Sequence, residues 1–118
     1  MRYSLLVTAG PDSPAATSAL SMAEALVARG HTLFRIFFYR QGVLLANRLR
    51  DIGTDETDIS ARWQAFLQAH ELDGEVCVGA AQRQGLGGDD LATGFTLAGL
   101  GVWADAVANS DRVLSFGA

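Results

Sequence analysis

Short apolar runs alternate with helical patterns along this chain, and this alternation restricts the possible folds more than any other feature. Four runs have the composition of buried strands, and they are residues 3–8, 33–39, 75–78 and 113–116. Between them, apolar residues recur at spacings of three and four, which is typical of amphipathic helices. Strands and helices that alternate over short connections form parallel sheets covered on both faces. We therefore predict an α/β fold, a three-layer α/β/α sandwich with a parallel sheet of four to five strands.

Capping residues mark where the helices begin and end. Ser13 followed by Pro14 predicts the start of the first helix, because the N–H that proline lacks would be unbonded at that position. Gly30 is expected to follow the end of this helix in the left-handed conformation. A second helix is predicted to follow Thr57. One face of this helix is expected to combine Ile59, Trp63, Phe66, Leu67 and His70.

Three further segments have less certain patterns. Residues 43–46 fit either a short extra strand or the start of a helix, and residues 95–99 fit more than one structure. Residues 51–58 carry four carboxylates and are predicted to form a solvated loop rather than a metal site. A last helix is predicted over residues 100–109. The residues it is expected to bury are Trp103, Ala106 and Val107.

Composition excludes several classes of chemistry. The 118 residues fit one domain that spans residues 1–118. All 9 basic residues are arginine, which excludes a Walker phosphate loop, a pyridoxal Schiff base and a lysine general base. The single cysteine, Cys77, excludes an internal disulfide and a cysteine-rich zinc site. The sequence suggests neither a metal nor a cofactor.

Charge and hydropathy restrict the partners and the cellular location expected for the protein. The net charge is −4 and the arginines are scattered, which argues against direct nucleic-acid binding. No run of about 18 apolar residues is present to span a membrane. A free thiol and the absence of an export signal favour a reducing compartment. We therefore expect a cytoplasmic location and no membrane partner.

Cys77 is the most informative candidate for chemistry. It lies near the carboxyl end of the predicted third strand, where ligands and reactive groups gather in parallel sheets. A helix is predicted directly after it, and a helix N-terminus favours a thiolate over a thiol. Arg83, about two turns further on, would add positive potential. The alternative is that Cys77 is a small buried residue with a purely structural role.

Two other motifs have weaker functional interpretations. Residues 99–104 match the dinucleotide pattern G-x-G-x-x-A. The acidic residue that binds the ribose in such sites is expected about 20 residues further on, which would be beyond residue 118. Here the glycines are better explained as permitting close packing at a helix start. Residues 8–13 fit either a phosphate cradle or a plain capped turn. These motifs make a flavin- or nucleotide-binding module the third-ranked hypothesis.

Taken together, the order and spacing of several segments resemble the DsrE/TusD family of small sulfur-relay proteins. The resemblance spans residues 1–117. Its segments are residues 30–31, 37–39, 42–43, 46–47, 63, 77–85, 95–101 and 111–113.

This resemblance implies a three-layer α/β/α fold and a cysteine that accepts sulfane sulfur as a persulfide. That cysteine corresponds to Cys77, and the neighbouring Val78, Gly79 and Arg83 are candidates for stabilising its thiolate or persulfide. The implied activity is that of a sulfurtransferase. It needs no redox cofactor, because each step is a thiol exchange on sulfur.

The resemblance also implies partners. Members assemble with homologous TusB-like and TusC-like subunits into a hetero-hexamer, take sulfur from a TusA-like donor and pass it to a TusE-like acceptor. In that branch the relay ends in 2-thiolation of the wobble uridine of certain tRNAs. In the other branch, similar subunits serve sulfur oxidation. The second-ranked hypothesis, after a sulfur carrier, is a non-catalytic assembly subunit in which Cys77 is a core residue.

Two departures from the family pattern lie close to the cysteine. Gly79 and Gln84 stand where the family usually has an alanine and a second arginine, so one positive charge near the thiol is absent. The loop over residues 86–93 is also shorter than is usual in the family.

Overall fold

The strands and helices of the computed structural model alternate along the chain, as the sequence pattern predicts. The structure describes residues 1–50 and 58–117. The strands are β1 (Arg2–Val7), β2 (Thr32–Phe38), β3 (Gly74–Cys77), β4 (Phe95–Ala98) and β5 (Arg112–Phe116). The helices are α1 (Pro14–Ala28), α2 (Ile59–Ala69), α3 (Val78–Arg83) and α4 (Leu100–Asn109), with 3₁₀ helices over Arg40–Ala46 and Gly88–Asp90.

The five strands form one sheet in the order β4-β3-β2-β1-β5, and every neighbouring pair is parallel. This confirms the predicted α/β fold with a parallel sheet. Because the strands are parallel, their carboxyl ends lie at one edge of the sheet, where β3 delivers Cys77 and β2 leads into Tyr39.

Aromatic side chains alternate between the two faces of β2 and connect the sheet to its helices. Phe38 packs edge-on against Trp63 of α2, with ring centroids 5.2 Å apart. The adjacent Phe37 stacks on Trp103 of α4, at 5.9 Å. The indole N–H of Trp63 donates to the carbonyl oxygen of Ala16, at 3.2 Å, and so joins α2 to α1. Helices therefore cover both faces of the sheet, which confirms the predicted three-layer arrangement.

The capping residues act as their positions indicate. The Ser13 hydroxyl accepts a hydrogen bond from the amide of Ala15, and Gly30 follows α1 with a φ of 83°. Asp58, the last residue of the predicted loop over residues 51–58, lies just before α2 as its N-cap, and its carboxylate accepts from the amide of Ala61. The rest of that loop, residues 51–57, lies outside the described residues.

The structure also settles the uncertain segments. Residues 43–46 belong to the 3₁₀ helix over Arg40–Ala46, and residues 95–98 are the edge strand β4. The predicted third strand, residues 75–78, is shifted by one residue, because β3 spans Gly74–Cys77 and Val78 begins α3. The prediction that α4 buries Val107 is wrong: Ala106 is fully buried and Trp103 is partly buried against the core, but Val107 is 50% exposed.

None of the helices in the described part of the chain combines the length and apolarity required to cross a membrane.

Candidate functional site

Cys77 is the last residue of β3 and the N-cap of α3, so it lies at the carboxyl edge of the sheet. Its thiol is free and the residue is only 3% exposed. Its side chain makes no capping hydrogen bond to the helix that follows. The expected position at the end of a strand and immediately before a helix is therefore observed.

Close packing holds the strand that carries Cys77. Gly74 begins β3 against the rings and methyl groups of Phe95 and Leu67, where a Cβ would lie 2.7 Å from the Phe95 ring. At the other end of the strand, Cys77 is in register with Ala98 of β4. Close packing at Gly74 and pairing with Ala98 at Cys77 thus hold the two ends of the strand that carries the thiol.

The three residues predicted to act with Cys77 lie on α3, but they differ in orientation. Val78 is 36% exposed and turns outward. A Cβ on Gly79 would lie 3.6 Å from Nη1 of Arg83, so the arginine side chain folds back along the helix toward its first turn. The structure therefore brings Arg83 to Gly79, at the end of α3 that adjoins Cys77.

A cavity of about 490 Å³ lies between α3 and the residues that follow β2. Its α3 wall consists of Ala80, Arg83 and Gln84. The opposite wall consists of Tyr39, Arg40 and Gln41, none of which the sequence analysis named as a candidate site residue. A local signal for this wall is Gly42, a glycine that directly follows Gln41 and the apolar run of residues 33–39.

The motif over residues 99–104 begins α4 with Gly99 as its N-cap. A Cβ on Gly99 or on Gly101 would meet no atom within 4 Å. The interpretation that these glycines permit close packing is therefore wrong. Because Ala98 is in register with Cys77, this helix start lies at the same edge of the sheet as the thiol.

The turn over residues 8–13 uses several of its hydrogen-bond donors within the chain. The amides of Thr8 and Ala9 both donate to the carbonyl oxygen of Phe116, and the amide of Ser13 donates to Gly10. The Ser13 hydroxyl caps α1. These bonds favour the plain capped turn over the phosphate cradle.

Comparison with known proteins identifies the family. Residues 1–116 match the DsrE/DsrF-like family. The chain belongs to the DsrE/DsrF-like family. This confirms the resemblance predicted from the sequence.

Curated relatives of this DsrE/DsrF-like protein cover nearly all of it. The Sulfurtransferase TusD of Pectobacterium carotovorum subsp. carotovorum is 43% identical over 129 residues, which covers 98% of this chain and 99% of the relative. The Sulfurtransferase TusD of Pectobacterium atrosepticum is also 43% identical, with the same coverage. That of an Enterobacter species is 40% identical and covers 98% of this chain and 100% of the relative.

Solved structures show the same fold. The ychN protein from E. coli superposes with a TM-score of 0.82 at 21% identity, covering 98% of this chain and 100% of that one. A protein of unknown function from Methanobacterium thermoautotrophicum gives a TM-score of 0.71 at 18% identity, with coverage of 96% and 97%. These likenesses support the α/β fold of the DsrE/DsrF-like chain.

Proposed function

We propose that this chain accepts and passes on sulfane sulfur as a persulfide on Cys77, in a relay toward 2-thiolation of the wobble uridine of certain tRNAs. The observation that carries the proposal is the position of the thiol, at the carboxyl edge of a parallel sheet and directly before α3. The class of activity is the one named for the curated relatives, each of which is a Sulfurtransferase TusD.

The proposed reaction is two successive thiol exchanges. The Cys77 thiolate attacks the outer sulfur of a donor persulfide, so a new S–S bond forms at Cys77 and the donor leaves as a thiolate. An acceptor thiolate then attacks the outer sulfur of the Cys77 persulfide and releases the Cys77 thiolate. Because neither step changes the number of electrons in the system, no redox cofactor is required.

Arg83 supports this chemistry by its position. Its guanidinium reaches back to Gly79 in the first turn of α3, next to Cys77. A nearby cation and the N-terminal end of a helix both stabilise a thiolate relative to a thiol. The proposed role of Arg83, with the backbone of Val78 and Gly79, is therefore to favour the ionised sulfur.

The proposed partners follow from the relatives' name. We propose that the chain works with homologous TusB-like and TusC-like subunits in a hetero-hexamer in the cytoplasm. A TusA-like protein would donate sulfur and a TusE-like protein would accept it. The tRNA branch is preferred to sulfur oxidation because the curated relatives carry the TusD name.

Replacing Cys77 with serine tests the proposed chemistry directly. Intact-mass measurement after incubation with a persulfide donor should show a reductant-sensitive gain of about one sulfur atom in the wild type and no gain in Cys77→Ser. The substitution keeps the size of the side chain, so the variant should remain folded by circular dichroism. Sulfur loading that persists in this variant would refute a persulfide on Cys77.

The burial of Cys77 favours one alternative, a non-catalytic assembly subunit. Because the residue is only 3% exposed, its thiol is as well covered as many structural cysteines. Alkylation of the native protein distinguishes the two roles. A carrier should react with iodoacetamide while folded, whereas a structural thiol should react only after denaturation.

A further inference from the structure

We propose that the cavity between α3 and Tyr39–Gln41 binds the carboxylate groups of a low-molecular-weight persulfide, and that such an anionic small molecule donates sulfur to Cys77. This inference rests on the proposed persulfide chemistry of Cys77. It adds a class of small-molecule donor and a binding site outside the thiol itself.

The cavity lies at the end of the sheet that carries the thiol. Phe38 of β2 is in register with Val76 of β3, so the next residues, Tyr39 and Cys77, follow from adjacent points at the edge of the sheet. Ala80, on the opposite wall, comes three residues after Cys77, which is about one helical turn. A molecule in the cavity therefore lies at the strand end that carries Cys77, although Cys77 itself does not line the cavity.

The charges of the cavity select for an anion. Arg40 and Arg83 line it from opposite walls, and no carboxylate lines it in the part of the chain that the structure describes. Within residues 1–50 and 58–117, the ion pairs involve Arg35 but neither of these two arginines. Their guanidinium groups have the planar donor geometry that binds carboxylates in a bidentate manner. The cavity is therefore positively charged, although the whole chain has a net charge of −4.

The backbone holds Arg40 in an unusual conformation. Its φ is 51°, in the left-handed region that residues other than glycine rarely adopt. The turn is fixed by hydrogen bonds from the amide of Gly42 to the carbonyl of Tyr39, at 2.9 Å, and from the amide of Tyr39 to the carbonyl of Val7, at 3.0 Å. Such conformations in residues other than glycine concentrate at ligand sites. The turn thus presents Arg40 at the cavity in a defined position.

The size of the cavity favours a small molecule. Its volume of about 490 Å³ falls in the range typical of small-ligand pockets. The remaining polar groups, from Tyr39, Gln41 and Gln84, add hydrogen-bond donors and acceptors around the two cations. A short peptide persulfide with free carboxylates matches both the volume and the charge.

The sulfur-transfer step is balanced without any further reactant. The Cys77 thiolate attacks the outer sulfur of R–S–SH, forming the Cys77–S–SH bond while the original S–S bond breaks. The electron pair of that bond leaves with R–S⁻, and the outer sulfur keeps its proton. The two arginines hold the carboxylates of R and stabilise the departing thiolate.

Binding is tested first under conditions in which no sulfur can be transferred. The Cys77→Ser protein is titrated with S-methylglutathione, and binding is measured by calorimetry. We expect binding that weakens about tenfold or more when Arg40→Ala or Arg83→Ala is added, because a charge-assisted bond is lost. Arg29→Ala is the matched control, since Arg29 is exposed at the end of α1 and does not line the cavity. Binding that is absent, or that is insensitive to Arg40 and Arg83, would refute the site.

Loading is tested next with glutathione persulfide, whose carboxylates are free, and with its diethyl ester, in which both carboxylate charges are removed. The wild type should load from the free acid about tenfold faster than from the ester, and Arg83→Ala should abolish this preference. Gln84→Arg, which adds a third cation at the cavity, should increase it. Equal loading from both donors would refute the inference while the persulfide proposal stands. If neither donor loads Cys77, the small-molecule donor is refuted, and loading from the persulfide of a TusA-like protein then decides whether the proposed function stands.

Discussion

Gly42 is the residue at which two backbone segments approach most closely beside the site. A Cβ at this position would lie 2.1 Å from the carbonyl oxygen of Val7, which is backbone and has no room to move. The residue is buried within the 3₁₀ helix over Arg40–Ala46, against the end of β1. The turn that carries Arg40 therefore depends on the absence of a side chain here.

We predict that Gly42→Ala destabilises the protein by about 3 kcal/mol or more, because the backbone must shift to relieve the clash. Urea denaturation followed by circular dichroism measures this loss. Gly101→Ala is the control, since its Cβ would meet nothing within 4 Å in α4. Alanine is the better helix former there, so the control should gain about 0.5–1 kcal/mol. Equal stability of the two variants would contradict the close approach.

At the scale of the elements, Arg35 links β2 to both β3 and α4. Its guanidinium donates to the Glu75 carboxylate of β3 at 2.7 Å and lies 3.5 Å from the Asp105 carboxylate of α4. The hydrogen bond to Glu75 is the largest cause that raises the pKa of Arg35 above its ordinary value. A raised pKa keeps the arginine charged, so its stabilising effect is complete below the ordinary pKa and is lost only in strongly alkaline solution.

We predict that Glu75→Gln lowers the free energy of unfolding by about 1 kcal/mol, because Glu75 is mostly buried and its bond to Arg35 is short. Asp105→Asn should cost less than about 0.5 kcal/mol, since its side chain is 50% exposed and the contact is longer. Urea denaturation at neutral pH compares the two. A larger loss for Asp105→Asn would show that the link to α4 dominates.

At the scale of the whole molecule, the two faces of the sheet are covered unequally. The face under α1 and α2 is closed, with Leu5, Ile36 and Phe38 at most 1% exposed. On the other side, apolar side chains remain accessible on α4 and on the edge strand β5. They are Leu100 (54% exposed), Val107 (50%) and Val113 (38%). Exposed apolar groups of this kind are typical of surfaces that bind other proteins.

We predict that Val107→Asp prevents stable assembly with the proposed TusB-like and TusC-like subunits, because it puts a charge on this apolar surface. Sedimentation velocity of the co-expressed proteins measures the assembly. Met22→Asp is the control, since Met22 is 38% exposed on α1 and lies outside this surface. Assembly that fails with Met22→Asp and survives with Val107→Asp would place the interface on the other side.

The sequence alone was sufficient for the features that depend on local physics. The alternation of strands and helices predicted the parallel sheet, and Ser13 and Gly30 predicted the ends of α1. Cys77 was placed within one residue of the end of its strand. These predictions succeed because hydrogen bonding, capping and backbone preference act between residues that are close in the chain.

The tertiary structure decided what depends on neighbours that are distant in the chain. Periodicity placed Val107 on a helix with an apolar face, but only the packing of α4 showed that this residue remains 50% exposed. The cavity combines Arg40 and Arg83, which are far apart in sequence and meet because β2 and β3 are neighbours in the sheet. Sequence spacing cannot reveal such a pair, because the proximity of the two arginines depends on the order of the strands. That order is set by the packing of the whole sheet.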